Sequence, residues 1–77
     1  MNIKTRKEIS TIIDELDDIL FHVNCIKDDE EKKLDNMPES LQDSERGEQM
    51  QEGIDTLESA YDSISDAIDY LQELVNQ

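Results

Sequence analysis

Basic residues are scarce in this sequence, and none lies between positions 50 and 75. The chain holds 7 Lys and Arg against 21 Asp and Glu, which gives a formal net charge of -14. A chain with this balance repels phosphate groups, so the composition argues against direct binding to nucleic acid or to an anionic membrane. It favours a partner whose surface is basic.

Cysteine, aromatic residues and long apolar runs are also rare. Cys25 is the only cysteine, which excludes an intramolecular disulfide and favours a reducing environment. Residues 1–7 lack the apolar stretch of a secretion signal, and no apolar run approaches the length of a membrane span. We therefore expect a cytoplasmic protein without a membrane partner. With 35% hydrophobic residues, so short a chain needs very regular packing or self-association to form a stable core.

Two long segments carry apolar or small residues at every third or fourth position, which is typical of helices that bury one side. The first segment runs from Ile9 to Ile26 and the second from Met50 to Val75. When both are written as heptads labelled a to g, with Ile9 and Met50 at a, the stripe occupies positions a, d and e. This periodicity predicts an all-α protein.

The bounds of the two helices follow from where the stripe ends and where helix-breaking residues occur. We predict helix 1 over about residues 3–35, a connection over about residues 36–44 and helix 2 over about residues 45–76, all in a single domain of residues 1–77. Pro38 marks the connection, because the residue before a proline is disfavoured in helical geometry.

Each helix has two candidates for its N-terminal cap. Helix 1 begins either with a capping box formed by Thr5 and Glu8 or with Asn2. Helix 2 begins with either Asp43 or Ser44. The short side chains of these residues accept hydrogen bonds from the free amides of a first helical turn.

An antiparallel hairpin with this connection brings together residues whose numbers sum to about 80. At the d positions, the register matches an isoleucine of helix 1 with a small residue of helix 2 three times in succession. The pairs are Ile12 with Ala67, Ile19 with Ala60, and Ile26 with Gly53. A tight interface needs such pairing of large with small residues. We therefore predict an antiparallel two-helix coiled-coil hairpin with these pairs inside it.

The e positions of both helices then fall on one side and form an apolar strip that two helices cannot cover. Its members are Ile13, Leu20, Ile54, Tyr61, Ile68 and Val75. Apolar strips of this length usually mark an interface. Two copies related by a two-fold axis would bury the strip as a four-helix bundle. We expect a homodimer through this flank, with docking onto another protein as the alternative.

Acidic residues fill the outward positions, and Asp55, Asp62 and Asp69 recur at f with no cation among them. A surface of this kind forgoes the support of i,i+4 ion pairs and adds repulsion, which indicates a role in binding a basic protein surface. The candidate binding residues are Asp55, Glu58, Asp62, Asp66, Asp69 and Glu73 in helix 2, and Asp14, Glu15, Asp17 and Asp18 in helix 1. The alternative is a solvated surface that only keeps the protein soluble.

No residue pattern in the chain supports catalysis, a cofactor or a dedicated metal site. The acidic clusters lack the spacing of a calcium-binding loop, and the inward positions lack the Glu-x-x-His motif of di-iron bundles. His22 and Cys25 supply at most half of a zinc site. A single cysteine and a single histidine without oxyanion donors also argue against nucleophilic catalysis. Phe21, at f, is either a contact for a partner or an ordinary surface residue.

The connection and the helix that follows it resemble a pattern in short acidic helical-hairpin proteins of bacteriophages and mobile elements of Gram-positive bacteria. The matching residues of the turn are Pro38, Glu39, Leu41, Gln42, Ser44, Glu45 and Arg46. Small acidic phage proteins include inhibitors of host defence, among them anti-CRISPR proteins and DNA mimics. The resemblance implies a non-enzymatic inhibitor that occupies a nucleic-acid channel of a host nuclease complex. A structural or assembly module that docks through the apolar flank is the second hypothesis.

Overall fold

The computed structural model describes residues 1–77 and contains three helices and no strand. Two of the helices are long, α1 over Ile3–Asp35 and α3 over Glu45–Val75, and the short helix α2 lies between them over Glu39–Gln42. The long helices begin and end within one residue of the predicted bounds. Since α1 and α3 pack against each other in a molecule of 58 × 14 × 13 Å, the protein is an all-helical hairpin.

Helix α1 begins at the side chain of Asn2, whose Oδ1 accepts a hydrogen bond from the backbone amide of Thr5 at 2.8 Å. Of the two caps that the sequence allows, the structure therefore uses Asn2 and not the box formed by Thr5 and Glu8. Lys32 and Lys33 lie in the last turn of α1, where positive charge is favourable for the helix dipole.

The connection is held by hydrogen bonds within its own few residues. The backbone amides of Leu41 and Gln42 both donate to the carbonyl oxygen of Pro38, at 2.9 and 3.0 Å. The side-chain amide of Gln42 donates to the carbonyl oxygen of Met37 at 2.8 Å. Ser44 takes the N-cap position of α3, but its hydroxyl donates to the carbonyl oxygen of Leu41 instead of accepting from the first helical amides. The connection therefore closes into a compact turn.

Gly47 lets the end of α2 lie directly against the first turn of α3. A Cβ atom at this position would lie 2.1 Å from the carbonyl oxygen of Gln42 and 2.6 Å from that of Leu41. Both neighbours are backbone atoms, which cannot move aside as a flexible side chain can. The absence of a side chain at Gly47 is therefore a condition for this turn.

The side chains that the hairpin buries lie at positions a and e. Ile9, Ile13, Ile54 and Ile68 are exposed by only 9, 7, 3 and 6%. Around Ile9, Ile13 and Ile68 pack the half-buried Leu16, Leu20, Ile64, Leu71, Leu74 and Val75. The cluster joins the first half of α1 to the second half of α3, so the helices are antiparallel and the predicted register is retained.

The isoleucines at position d of α1 lie outside this core. Ile12, Ile19 and Ile26 are exposed by 45, 49 and 53%, and a Cβ atom on Gly53 would have no atom within 4 Å. The prediction that these isoleucines pack inside the hairpin against small residues of the second helix is therefore wrong, because both helices are rotated about their axes relative to the predicted seam.

The rotation also corrects the prediction for the e positions. Of the predicted docking flank Ile13, Leu20, Ile54, Tyr61, Ile68 and Val75, three are buried and three are half-buried between the two helices. The physical reason is side-chain size. Position e carries Ile13 and Leu20 ahead of Lys27 in α1 and four large apolar residues in α3, whereas position d of α3 carries mainly Gly and Ala. A seam of a and e residues therefore removes more apolar surface from water than a seam of a and d residues.

We predict that Gly47→Ala destabilises the protein by about 1–3 kcal/mol, because the added methyl group collides with backbone atoms of α2. Gly53→Ala is the matched control. Its methyl group meets no other atom of the same chain within 4 Å, and Ala60 and Ala67 already carry this group at equivalent positions, so the better helix propensity of Ala should raise stability by about 0.5–1 kcal/mol. Thermal and urea unfolding followed by circular dichroism measures both, and a stabilising Gly47→Ala would contradict the close approach of α2.

We predict that Ile54→Ala lowers the free energy of unfolding by about 2–4 kcal/mol, because the side chain is almost fully enclosed. Phe21→Ala removes a larger side chain that is 67% exposed and should change stability by no more than about 0.5 kcal/mol. Chemical unfolding of both variants checks the assignment of the core. Equal losses for the two variants would show that the a and e residues do not form the seam.

Candidate protein-binding surface

All ten acidic residues that the sequence singles out as binding candidates are exposed. They are Asp14, Glu15, Asp17 and Asp18 on α1, and Asp55, Glu58, Asp62, Asp66, Asp69 and Glu73 on α3. None of them belongs to either of the two ion pairs in the molecule. The side-chain amide of Gln51 donates to Oδ1 of Asp55 at 2.9 Å, and no other hydrogen bond reaches this set. These carboxylates therefore remain free to meet a partner's cations.

The packing of a and e residues decides on which side of the hairpin every other position lies. Successive residues of a helix are rotated by about 100°, and α1 and α3 run in opposite directions. Positions b and f of both helices consequently lie on one side of the hairpin, and positions d and g lie on the other. Position c points away from the neighbouring helix.

Six of the ten carboxylates share the b and f side, which we call the acidic face. They are Asp14, Asp17, Asp55, Glu58, Asp62 and Asp69. Asp18, Asp66 and Glu73 are at position c and lie along the outer edges, and Glu15 lies on the opposite side. The structure thus brings most of the predicted residues of both helices to one surface and separates Glu15 from them.

Phe21 lies on the acidic face, at position f of α1. Its ring is 67% exposed and contacts the ring of His22 edge-on, with 6.0 Å between the ring centroids. The prediction that Phe21 is exposed is confirmed. An aromatic side chain in this setting offers a partner a large apolar contact area next to charged groups.

Basic residues lie only towards the two ends of the rod. They are Lys4, Arg6 and Lys7 at the start of α1, and Lys27, Lys32, Lys33 and Arg46 around the connection. The amine of Lys33 lies 2.9 Å from Glu30, and this hydrogen bond, with the charge of Glu30, raises the pKa of Lys33. Lys27 lies 3.8 Å from Glu31. The middle of the rod has no cation, so the chain itself does not compensate the negative charge there.

The surface offers no convergent set of metal ligands and no enclosed cavity. No group of three or more His, Cys, Asp and Glu side chains could hold a metal ion, and His22 and Cys25 are both exposed. The larger of two open grooves has a volume of about 590 Å³. None of the helices combines the length and apolar character needed to cross a membrane.

The larger groove includes Ile26 and Gly53, which the sequence predicts to lie inside the hairpin. Its lining residues are Ile26, Glu30, Arg46, Gln49, Met50, Gly53, Ile54 and Leu57. It lies where Ile26 and Gly53, the d residues nearest the connection, stand open to solvent. The sequence contained a signal for this outcome, since the side chains at e are much larger than those at d in the second helix.

No family model matches this chain, and no curated protein or solved structure is significantly similar to it. The resemblance of residues 38–74 to short acidic proteins of phages and mobile elements therefore stays a prediction. The function has to be argued from the charge and shape of the surface.

We predict that Asp62→Asn raises the melting temperature at low salt, because it removes one of several mutually repelling carboxylates, each such pair costing a few tenths of a kcal/mol. Glu31→Gln is the matched control, since it removes the same charge from a residue that contacts Lys27 at 3.8 Å. That variant should be neutral or slightly destabilised. Melting curves at low and high NaCl check both, and the gain for Asp62→Asn should shrink as salt screens the repulsion.

A melting temperature for Asp62→Asn that equals or falls below that of Glu31→Gln at low salt would contradict this account. It would mean that the carboxylates of the acidic face do not repel one another measurably. Both substitutions exchange residues of closely similar helix propensity, so propensity does not explain a difference.

Proposed function

We propose that this protein is a non-enzymatic binding module that presents its acidic face to a basic surface of another protein, and that it competes there with nucleic acid. The observation that carries the proposal is the set of exposed carboxylates in the middle of the rod, where the chain provides no cation. Such carboxylates take the place of phosphates against Lys and Arg side chains.

The density of negative charge supports competition with nucleic acid. The 21 acidic residues lie along a rod 58 Å long, which corresponds to about one carboxylate per 3 Å of length. A single DNA strand carries about one phosphate per 3.4 Å. Over all its sides together the rod therefore matches the linear charge of a strand, and a groove that faces the acidic face meets six of the candidate carboxylates.

The rigidity of the two helices also supports the proposal. Asp55, Asp62 and Asp69 recur every two turns of one helix, at intervals of about 10.5 Å. Their spacing is set before a partner arrives, so binding orders side chains but not the backbone. Phe21 adds an apolar contact on the same face, and such aromatic anchors often carry much of an interface's affinity.

The resemblance to small phage proteins narrows the kind of partner. It favours a nucleic-acid channel of a host-defence nuclease complex, which would place the protein in the host cytoplasm. The long-range attraction between the rod and a basic channel should speed association and should weaken steeply with salt.

A structural or assembly module is the second candidate, and the exposure of Ile12, Ile19 and Ile26 favours it. In that case, the protein oligomerises or docks on a larger complex through apolar contacts, and the acidic face only keeps the assembly in solution. Ile19→Asp separates the two candidates, because Ile19 is half exposed and lies away from the acidic face.

We predict that the triple variant Asp55→Asn, Asp62→Asn and Asp69→Asn, with all three changes on the acidic face, loses most of its binding to basic nucleic-acid-binding proteins. The wild-type chain, immobilised and incubated with host lysate at low salt, should retain proteins that a short DNA duplex then releases. The triple variant should retain at least about 10-fold less of them, because three contacts between charges are lost, each worth about 0.5–1 kcal/mol.

The matched control for this experiment carries Asp35→Asn, Glu39→Gln and Asp43→Asn. It has the same net charge as the triple variant, but its neutralised side chains lie around the connection, and it should bind as the wild type does. Equal losses of binding in both variants would show that binding depends on net charge and not on the acidic face. Binding that survives in the triple variant but is lost in Ile19→Asp would support the assembly module instead.

A further inference from the structure

We infer that a second copy of this chain covers the side of the hairpin opposite the acidic face. We call this side the isoleucine face and define it by the exposed Ile12, Ile19 and Ile26 of α1 and by the exposed Gly53 and half-buried Ala60 and Ala67 of α3. In the pair, the isoleucines of each copy lie over the glycine and alanines of the other. This inference does not depend on the proposed function, because it concerns the other side of the molecule.

A single hairpin exposes more surface than a compact monomer of its mass. The chain exposes 5767 Å², whereas a compact monomer of 8.9 kDa exposes about 4,800 Å². The excess of about 1,000 Å² is close to the roughly 800 Å² per partner that a stable interface buries. One side of a rod 58 Å long and 14 Å wide has an area of that order.

The small size of the core gives the same indication. The hairpin buries four hydrophobic residues, and no side chain is fully enclosed. A chain below about 80 residues rarely forms a stable fold from one modest core. Burying three more isoleucines per copy would nearly double the number of well-covered apolar side chains.

The shape of the isoleucine face is complementary to itself. On α1, the isoleucines form a ridge that repeats every seven residues, and they are about half exposed. On α3, small residues repeat every seven residues at the same levels of the rod, and Gly53 faces open space. A ridge of large residues therefore lies parallel to a row of small ones. In a pair, the ridge of one copy would pack into the groove that the small residues leave on the other.

This complementarity fixes the direction of the two-fold axis. An axis along the length of the rod places α1 of one copy against α3 of the other, with Ile12, Ile19 and Ile26 level with the partner's Ala67, Ala60 and Gly53. An axis across the rod would instead place isoleucine against isoleucine and leave the small residues facing each other. The lengthwise axis makes all neighbouring helices antiparallel and forms a four-helix bundle.

The charges that border the isoleucine face fit the same arrangement. On α1, the bordering g positions hold Glu8, Glu15, His22 and Asp29, and on α3 they hold Gln49, Thr56, Ser63 and Tyr70. With a lengthwise axis, each residue of the first set meets an uncharged residue of the second set that offers a hydrogen-bonding group. An axis across the rod would bring Glu8 near the second copy's Asp29, which like charges disfavour. The acidic face stays outside in the lengthwise pair.

Light scattering coupled to size exclusion tests the pair directly on the full chain. The wild type should show about 18 kDa, twice the mass of the 8.9-kDa chain. Ile19→Asp should weaken association roughly 1,000-fold, because two-fold symmetry counts the lost anchor twice. Phe21→Asp, which places the same charge on the acidic face next to residues with no role in the pair, should remain a dimer. The inference is overturned if the helical wild type has the mass of one chain, or if Ile19→Asp and Phe21→Asp have the same mass.

Disulfide trapping tests the direction of the axis and remains informative if Ile19→Asp fails to fold. Chains with Cys25→Ser and Ile19→Cys are mixed with tagged chains that carry Cys25→Ser and Ala60→Cys, and the mixture is oxidised. The mixed disulfide pair should form at least about 10-fold faster than it does when Phe21→Cys replaces Ile19→Cys, because thiols must approach within bonding distance. Preferential pairing of Ile19→Cys chains with each other would overturn the lengthwise axis.

Discussion

Ile9, Ile13, Ile54 and Ile68 form the contact between the two long helices on which the rest of the molecule depends. Their burial fixes not only that α1 and α3 are antiparallel but also how far each helix is turned about its own axis. Once that rotation is set, every other residue is assigned to one side of the rod. Most of the candidate carboxylates fall on one side, and the exposed isoleucines fall on the other.

The sequence was sufficient to predict the class of fold, both long helices and their antiparallel register. These features follow from local signals: an apolar stripe in each segment, Pro38 in the connection, and residues suited to N-terminal caps before each helix, of which Asn2 forms its capping hydrogen bond. It was also sufficient to predict that the ten acidic residues are exposed, because charged residues at outward positions have no alternative in a small protein. Each of these predictions holds for any rotation of the helices that buries the stripe.

The rotation of each helix about its axis does not follow from the sequence in the same way. The apolar stripe is three heptad positions wide, and only two of these positions fit between two helices. Position d is predicted as the seam because it pairs large residues with small ones, namely Ile12, Ile19 and Ile26 with the glycine and alanines of α3. Position e offers more apolar area, with Ile54 and Ile68 in α3 where position d has Gly53 and alanines. The hairpin adopts the seam that buries the larger apolar area. The complementary shapes at d are left unused within the single chain, which is why they bear on the proposed contact between copies.

The separation of the two sides limits how large an assembly can grow. Rods that were apolar all round would stack side by side without end, as exposed hydrophobic surfaces do when they meet. Here, Asp55, Asp62 and Asp69 form a row on the side away from the isoleucines, and the middle of a third rod that approaches this row carries charge of the same sign. Electrostatic repulsion therefore opposes growth into filaments or sheets on that side and favours a closed, discrete particle over an open array.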